Sequence, residues 1–301
     1  MLSLVLRGMG MGAADVVPGV SGGTIAFITG IYEELVDSIR SINLEAFRLF
    51  FTLRWRSFWK HINGTFLLAV FAGIVISVLS LARLLEYLLE HKPVLIWSFF
   101  FGLVLASSYV VSRKIRNWNY SKIVALAAGI GTAFYITSVT PATTTDASWF
   151  VIISGGLASC AMILPGISGS FILLLLGKYT FALHAVNNRI ILDLLLLGFG
   201  AVAGLILFAN FLSWLLKKYH DPTIAVLVGF MIGSLNKLWP WKETLKTIMV
   251  EGEDLPLVER NIMPSFQNPD HQVWTALLLA AAGMALILLI EIGLARFRKT
   301  T

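Results

Sequence analysis

Six stretches of this chain are long and apolar enough to cross about 30 Å of hydrocarbon at 1.5 Å per residue. They lie at roughly 64–85, 93–112, 121–140, 191–216, 222–239 and 273–295. Hydrocarbon offers no partner to an open backbone, so each is expected to be helical. The composition agrees: of 301 residues, 57% are hydrophobic and 13% charged. Soluble domains are about 25% charged, and so few charges could not cover a globule, so the surplus apolar surface faces lipid. The net charge of +6 is not a nucleic-acid footprint. The basic residues fall in short runs beside the apolar stretches (Arg54 and Arg56, Arg113 to Arg116, Lys217 and Lys218, Arg296 to Lys299), as in membrane loops. A single cysteine, Cys160, excludes an intrachain disulfide and a cysteine metal cluster. The first residues, with Arg7, a Gly-rich stretch and Asp15, do not read as a cleavable signal.

Two further apolar stretches, 3–39 and 149–186, are interrupted. The first break reads Pro18-Gly19-Val20-Ser21-Gly22-Gly23 and the second Pro165-Gly166-Ile167-Ser168-Gly169-Ser170. Proline removes a helix hydrogen bond and glycine weakens the helix, so neither stretch should be one rod. The breaks are copies. A shift of 147 places Gly8 on Gly155, Pro18 on Pro165, Ser21 on Ser168, Gly30 on Gly177 and Tyr32 on Tyr179; a shift of 127 then places Gly73 on Gly200 and Gly102 on Gly229. The fold expected is an all-α polytopic membrane domain of two tandem repeats, 1–145 and 146–301. Each repeat is a broken re-entrant helix hairpin followed by three transmembrane helices, an arrangement that points to a secondary transporter. Re-entrant breaks make the second copy inverted. That places the C-terminal Arg296, Arg298 and Lys299 inside and the loop carrying Glu251, Glu253, Asp254 and Glu259 outside.

After each Pro-Gly pair a half-helix should begin, near Ser21 and near Ser168. A helix start exposes unpaired N–H groups and a partial positive charge, and glycines let a ligand approach the backbone. The candidate anion-binding residues are Pro18, Gly19, Ser21, Gly22, Gly23 and Thr24 in the first copy and Pro165, Gly166, Ser168, Gly169 and Ser170 in the second. A single such motif would read as a packing kink; two at matching positions favour a cradle. Lys178, aligned with Ile31, is a candidate for attracting an anion at the outer mouth or a snorkelling interfacial lysine. Asp15, matched by Met162, and Glu33 are candidates for coupling to H⁺ or Na⁺, an ionisable group at depth being a functional hypothesis by default; helix capping is the competing role for Asp15. No metal spacing and no Walker A sequence is present, so no metal and no direct ATP drive is expected, and no cofactor beyond a coupling ion.

The runs Gly12 to Thr24, Gly30-Ile31-Tyr32-Glu33, Leu164 to Ser170 and Gly177-Lys178-Tyr179 resemble the bacterial polyprenyl-phosphate transporter family. The resemblance covers nearly the whole chain. It implies a flippase of the lipid carrier undecaprenyl phosphate in the bacterial inner membrane, with that lipid as partner, and a homo-oligomer is compatible with it. Two alternatives remain open. One is an undecaprenyl-pyrophosphate phosphatase-like enzyme, whose Pro-Gly-x-Ser loops continue Arg-Ser where these continue Gly-Gly and Gly-Ser, leaving no clamp for a transferred phosphoryl group. The other is a transporter of a small soluble anion.

Overall fold

A computed structural model of the chain describes residues 1–16, 20–250, 253–268 and 271–300, so Pro18 and Gly19 lie outside the described residues. The first half contains α1 (Leu2–Val16), α2 (Gly22–Ile28), α3 (Tyr32–Arg40), two short helices α4 (Leu44–Phe51) and α5 (Trp55–His61), then α6 (Gly64–His91), α7 (Pro93–Ser112) and α8 (Tyr120–Ser138). The second contains α9 (Ser148–Ile163), α10 (Gly169–Leu175), α11 (Tyr179–Asn187), α12 (Ile191–Lys218), α13 (His220–Leu238), an antiparallel pair β1 (Lys242–Val250) and β2 (Glu253–Asn261), and α14 (Val273–Thr300). The molecule is mostly helical, but the expectation of an all-α chain is corrected by this hairpin.

Among the described residues, five helices are long and apolar enough to span a membrane: Gly64–Leu81, Pro93–Ser112, Tyr120–Ser138, Ile191–Lys218 and Val273–Gly293. The sixth expected span, 222–239, is a helix but falls short of that apolarity. Asp221, Asn236 and Lys237 sit at its ends, and its middle is buried against α7 and α8 rather than turned to lipid.

Each broken segment is a hairpin. In the first copy Gly22 lies against Asp15 and Ile25 against Gly10, so α2 runs back along α1. In the second, Gly169 lies against Ala158 and Met162, and the Ala142 N–H, ahead of α9, donates to the Leu175 carbonyl at 3.0 Å. Gly30 (φ 75°) and Gly177 (φ 63°) take the left-handed conformation that ends α2 and α10, and α10 and α11 then meet at 109°. Polar contacts gather at two opposite rims. One joins Glu33 to His220, Asp37 to Lys217, Lys122 to Asp221 and Arg113 to Glu291; the other joins Lys178 to Asp146, Lys237 to Glu259 and Asn236 to Thr137.

The helices pack in pairs that cross at glycines. In α1–α6, Gly8 faces the Val70 carbonyl and Gly73 the Val5 carbonyl; in α9–α12, Gly155 faces Leu197 and Gly200 faces Ile152. These are the same contacts displaced by the sequence shifts of 147 and 127. In α7–α14, Gly102 faces Ala280 and Gly283 faces Phe99, while in α8–α13, Gly229 faces Leu126 and Gly129 faces Val226. Here the helices exchange partners between halves. At such crossings a Cβ would collide with a backbone carbonyl, which cannot move aside as a side chain can. Gly200→Ala is therefore expected to lower the melting temperature in detergent, equivalent to about 1–3 kcal/mol. Gly198→Ala, with nothing within 4 Å of the added carbon, should leave it unchanged or raise it through helix propensity.

Candidate functional site

The two breaks meet. Ser21 is the N-cap of α2: its Oγ accepts from the Gly23 N–H at 3.1 Å and donates across to the Met162 carbonyl of the other half at 3.1 Å. Thr24 Oγ1 accepts from the Gly166 N–H at 3.1 Å, and the Tyr32 hydroxyl donates to the Ile163 carbonyl at 3.2 Å. A Cβ on Gly23 would lie 2.5 Å from the Ile163 oxygen, so only glycine allows this approach. Ser21 and Thr24 are fully buried. The serine N-caps follow from the sequence, since a short side-chain oxygen on extended backbone satisfies a first-turn N–H.

The two half-helix starts are not equivalent. In the first, the Gly22 N–H donates to Asp15 Oδ1 at 2.6 Å, so the chain supplies its own carboxylate there. In the second, Ser168 caps α10 through the Phe171 N–H at 3.3 Å and lies 3.2 Å from the Ser170 hydroxyl. Met162 stands where Asp15 stands in the first copy, and Ser170 is exposed. Gly166 has φ 93°, and its missing side chain makes room for Ser234 and the Phe230 carbonyl. The conformation and the space both demand glycine, independently of any ligand.

The other candidates lie at the rims. Lys178 is 1% exposed and is held by an ion pair with Asp146, beside the rings of Phe150 and Phe181. It neither snorkels to water nor offers a free charge. Glu33 is exposed at the opposite rim, 3.3 Å from His220. Arg83, in the C-terminal part of α6, is exposed.

Sequence reasoning missed a second polar cluster, at the rim that holds the β hairpin. A cavity of about 330 Å³ is lined by Asn236 and Lys237 of α13, Lys242, Glu259 and Arg260 of the hairpin, and Phe171, Leu174 and Leu175 of α10. Glu259 pairs with Lys237 at 2.6 Å and lies 3.6 Å from Lys242. Burial pulls the Lys242 ammonium down to about 8, with Glu259 opposing the shift and Lys237 adding to it. Burial works against the Glu259 carboxylate too, but the two ammonium groups win and hold it below its ordinary value. The only signal in the sequence is a pair of lysines flanking Trp239-Pro240-Trp241, which reads equally well as an interfacial anchor.

The family model described as undecaprenyl phosphate translocase-like matches residues 11–254. A polyprenyl-phosphate transporter of Vibrio cholerae is 47% identical over 295 residues, covering 96% of both chains. A polyprenyl-phosphate transporter of Staphylococcus aureus is 35% identical over 259 residues, covering 78% of this chain and 85% of that one. No solved structure matches.

Thr24 is the hydrogen-bond link between the two breaks that can be cut most cleanly. Thr24→Val keeps the shape but leaves the buried Gly166 N–H unpaired, at a cost of about 1–3 kcal/mol. A lower melting temperature than wild type in the same detergent is expected, whereas Thr24→Ser should retain most of the stability.

Proposed function

The chain belongs to the undecaprenyl phosphate translocase-like family, and from that premise we propose that it is a flippase. It carries undecaprenyl phosphate across the bacterial inner membrane for re-use in envelope synthesis. The observation that carries the reading is the near full-length identity to a polyprenyl-phosphate transporter. What supports the site is the contact between the two breaks through Ser21, Thr24 and Gly166, where a charged head could be met inside the membrane while the tail stays in lipid. Two tandem, inverted repeats fit the recurrence of the glycine contacts at fixed offsets and the exchange of partners between α7–α14 and α8–α13. A hairpin that returns to its own side plus three crossings turns the second copy over.

Within this reading the phosphate engages the start of α10, through the Ser168 and Ser170 hydroxyls and the backbone at Gly169, facing the Ser21–Thr24 break. Asp15 acts as the resident anion of the first start, and its uptake of H⁺ or Na⁺ is the coupling event. Pro18, Gly19 and Pro165 shape the breaks. Lys178 and Glu33, each already paired with a charged or polar partner, brace the two rims.

Purified protein in liposomes loaded with polyprenyl phosphate tests the function. The expected outcome is protein-dependent movement of the phosphate between leaflets, without release of inorganic phosphate from the pyrophosphate. Robust phosphate release would establish the enzyme instead. Asp15→Asn, which keeps a helix cap, should retain translocation but flatten its dependence on pH or Na⁺. A variant that follows wild type at every condition would leave Asp15 as a cap only. With Cys160 replaced, cysteine at Ser265 should be labelled from outside and cysteine at Arg56 only from inside; the opposite pattern for Ser265 rules out the inverted arrangement.

A further inference from the structure

We propose that the cavity between α10, α13 and the β hairpin is a second binding site, taking a phosphate monoester whose charged head meets Lys242, Lys237 and Arg260. This deepens the transport reading and rests on it for the route, not for the chemistry. The Lys242 side chain is 7% exposed. Its Nζ has no hydrogen-bond partner among the described residues. Glu259, at 3.6 Å, is too far for a hydrogen bond, and its near oxygen is already held by Lys237 at 2.6 Å. The ammonium lies over the Trp97 ring, 4.1 Å from its centre, which favours the cation without using its donors. A buried ammonium with unspent donors, opening on a polar cavity, calls for an anion with several acceptor oxygens.

The local charge points the same way. Lys237 and Lys242 face Glu259, while Arg260, also in the cavity lining, pairs with Glu243 at 2.8 Å. Counting these five gives three positive and two negative charges, leaving one cation uncompensated. The α10 side of the cavity is apolar, with Phe171, Leu174 and Leu175, while the 137–141 segment adds Val139 and Pro141 among Thr137, Ser138 and Thr140. Charge on the hairpin side and hydrocarbon on the α10 side suit an amphiphile with a phosphate head. Because Phe171 and Ser170 are adjacent on α10, a head leaving this cavity along the helix reaches the half-helix start that the transport reading assigns to phosphate.

Protein in neutral phosphatidylcholine nanodiscs is titrated with polyprenyl phosphate in one arm and inorganic phosphate in the other, following thermal stabilisation. Wild type should be stabilised. Lys242→Met should weaken the apparent affinity by about tenfold or more, the worth of a charge-assisted hydrogen bond, and Lys242→Arg should restore most of it. Glu259→Gln should tighten binding, because it removes the carboxylate that competes for the two lysines; a merely structural Glu259 would give the reverse. Stabilisation by inorganic phosphate alone upholds the site and assigns it to free phosphate. Wild type that responds to neither ligand overturns the site. So does a pair of well-folded Lys242→Met and Glu259→Gln proteins that bind as wild type does. If Lys242→Met fails to fold, Glu259→Gln decides. Translocation in liposomes keeps the two claims apart: transport with a silent cavity refutes only the site, and phosphate binding without transport refutes only the flippase.

Discussion

A helix interrupted in hydrocarbon leaves backbone groups that no solvent can satisfy, and the rest of this structure follows from how that debt is settled. The chain contains two such interruptions and lets each supply partners to the other. Ser21 reaches the Met162 carbonyl, Thr24 receives the Gly166 N–H, and Tyr32 reaches the Ile163 carbonyl. The pairing also explains the surrounding packing. To bring the two breaks into contact the long helices must approach closely, and they do so at glycines whose missing side chains admit a neighbouring carbonyl.

The mutual settlement is not symmetric. Asp15 takes the Gly22 N–H in the first copy, while Met162 at the matching place in the second has no side-chain acceptor of that kind. The two Pro-Gly-x-Ser-Gly breaks share their scaffold but differ in their chemistry, at Asp15 against Met162, Gly23 against Ser170 and Thr24 against Phe171. The first start holds an internal anion and the second is left to the Ser168 and Ser170 hydroxyls.

Much of the scaffold was legible because membrane helices and doubled motifs leave strong marks. The half-helix starts near Ser21 and Ser168 were readable from the Pro-Gly breaks, and the residue shifts that aligned Gly8 with Gly155 and Gly73 with Gly200 match contacts that recur at those offsets. The helix over 220–238 was visible, but its burial was not, since apolarity alone does not distinguish a lipid-facing helix from one enclosed by others. The β hairpin was missed because its strands carry Lys242, Glu243, Lys246 and Arg260 among their apolar residues and resemble an acidic and basic loop. Lys178 could be read as a free or snorkelling charge because Asp146, its partner, is 32 positions away and becomes adjacent only once α10 has folded back. In both rim clusters the decisive fact is a tertiary pairing of charges, which local sequence does not encode.

The placement of carboxylates bears on what a carrier must do. A site that binds its cargo must also let it go, so affinity has to be limited as well as supplied. Two places where N–H or ammonium groups gather already hold one of the protein's own carboxylates: Asp15 at the first half-helix start, and Glu259 between the lysines of the rim cavity. A phosphate entering the rim cavity would compete with Glu259 for the two lysines rather than fill an empty positive pocket. Such competition lowers net affinity while preserving selectivity for anions. At the first start the resident carboxylate also keeps the buried Gly22 N–H satisfied, since an unpaired buried N–H is the more costly state. Lys178 marks the contrast. Its ammonium is buried beside two aromatic rings and paired with the largely exposed Asp146, so its charge is already compensated at the start of α11.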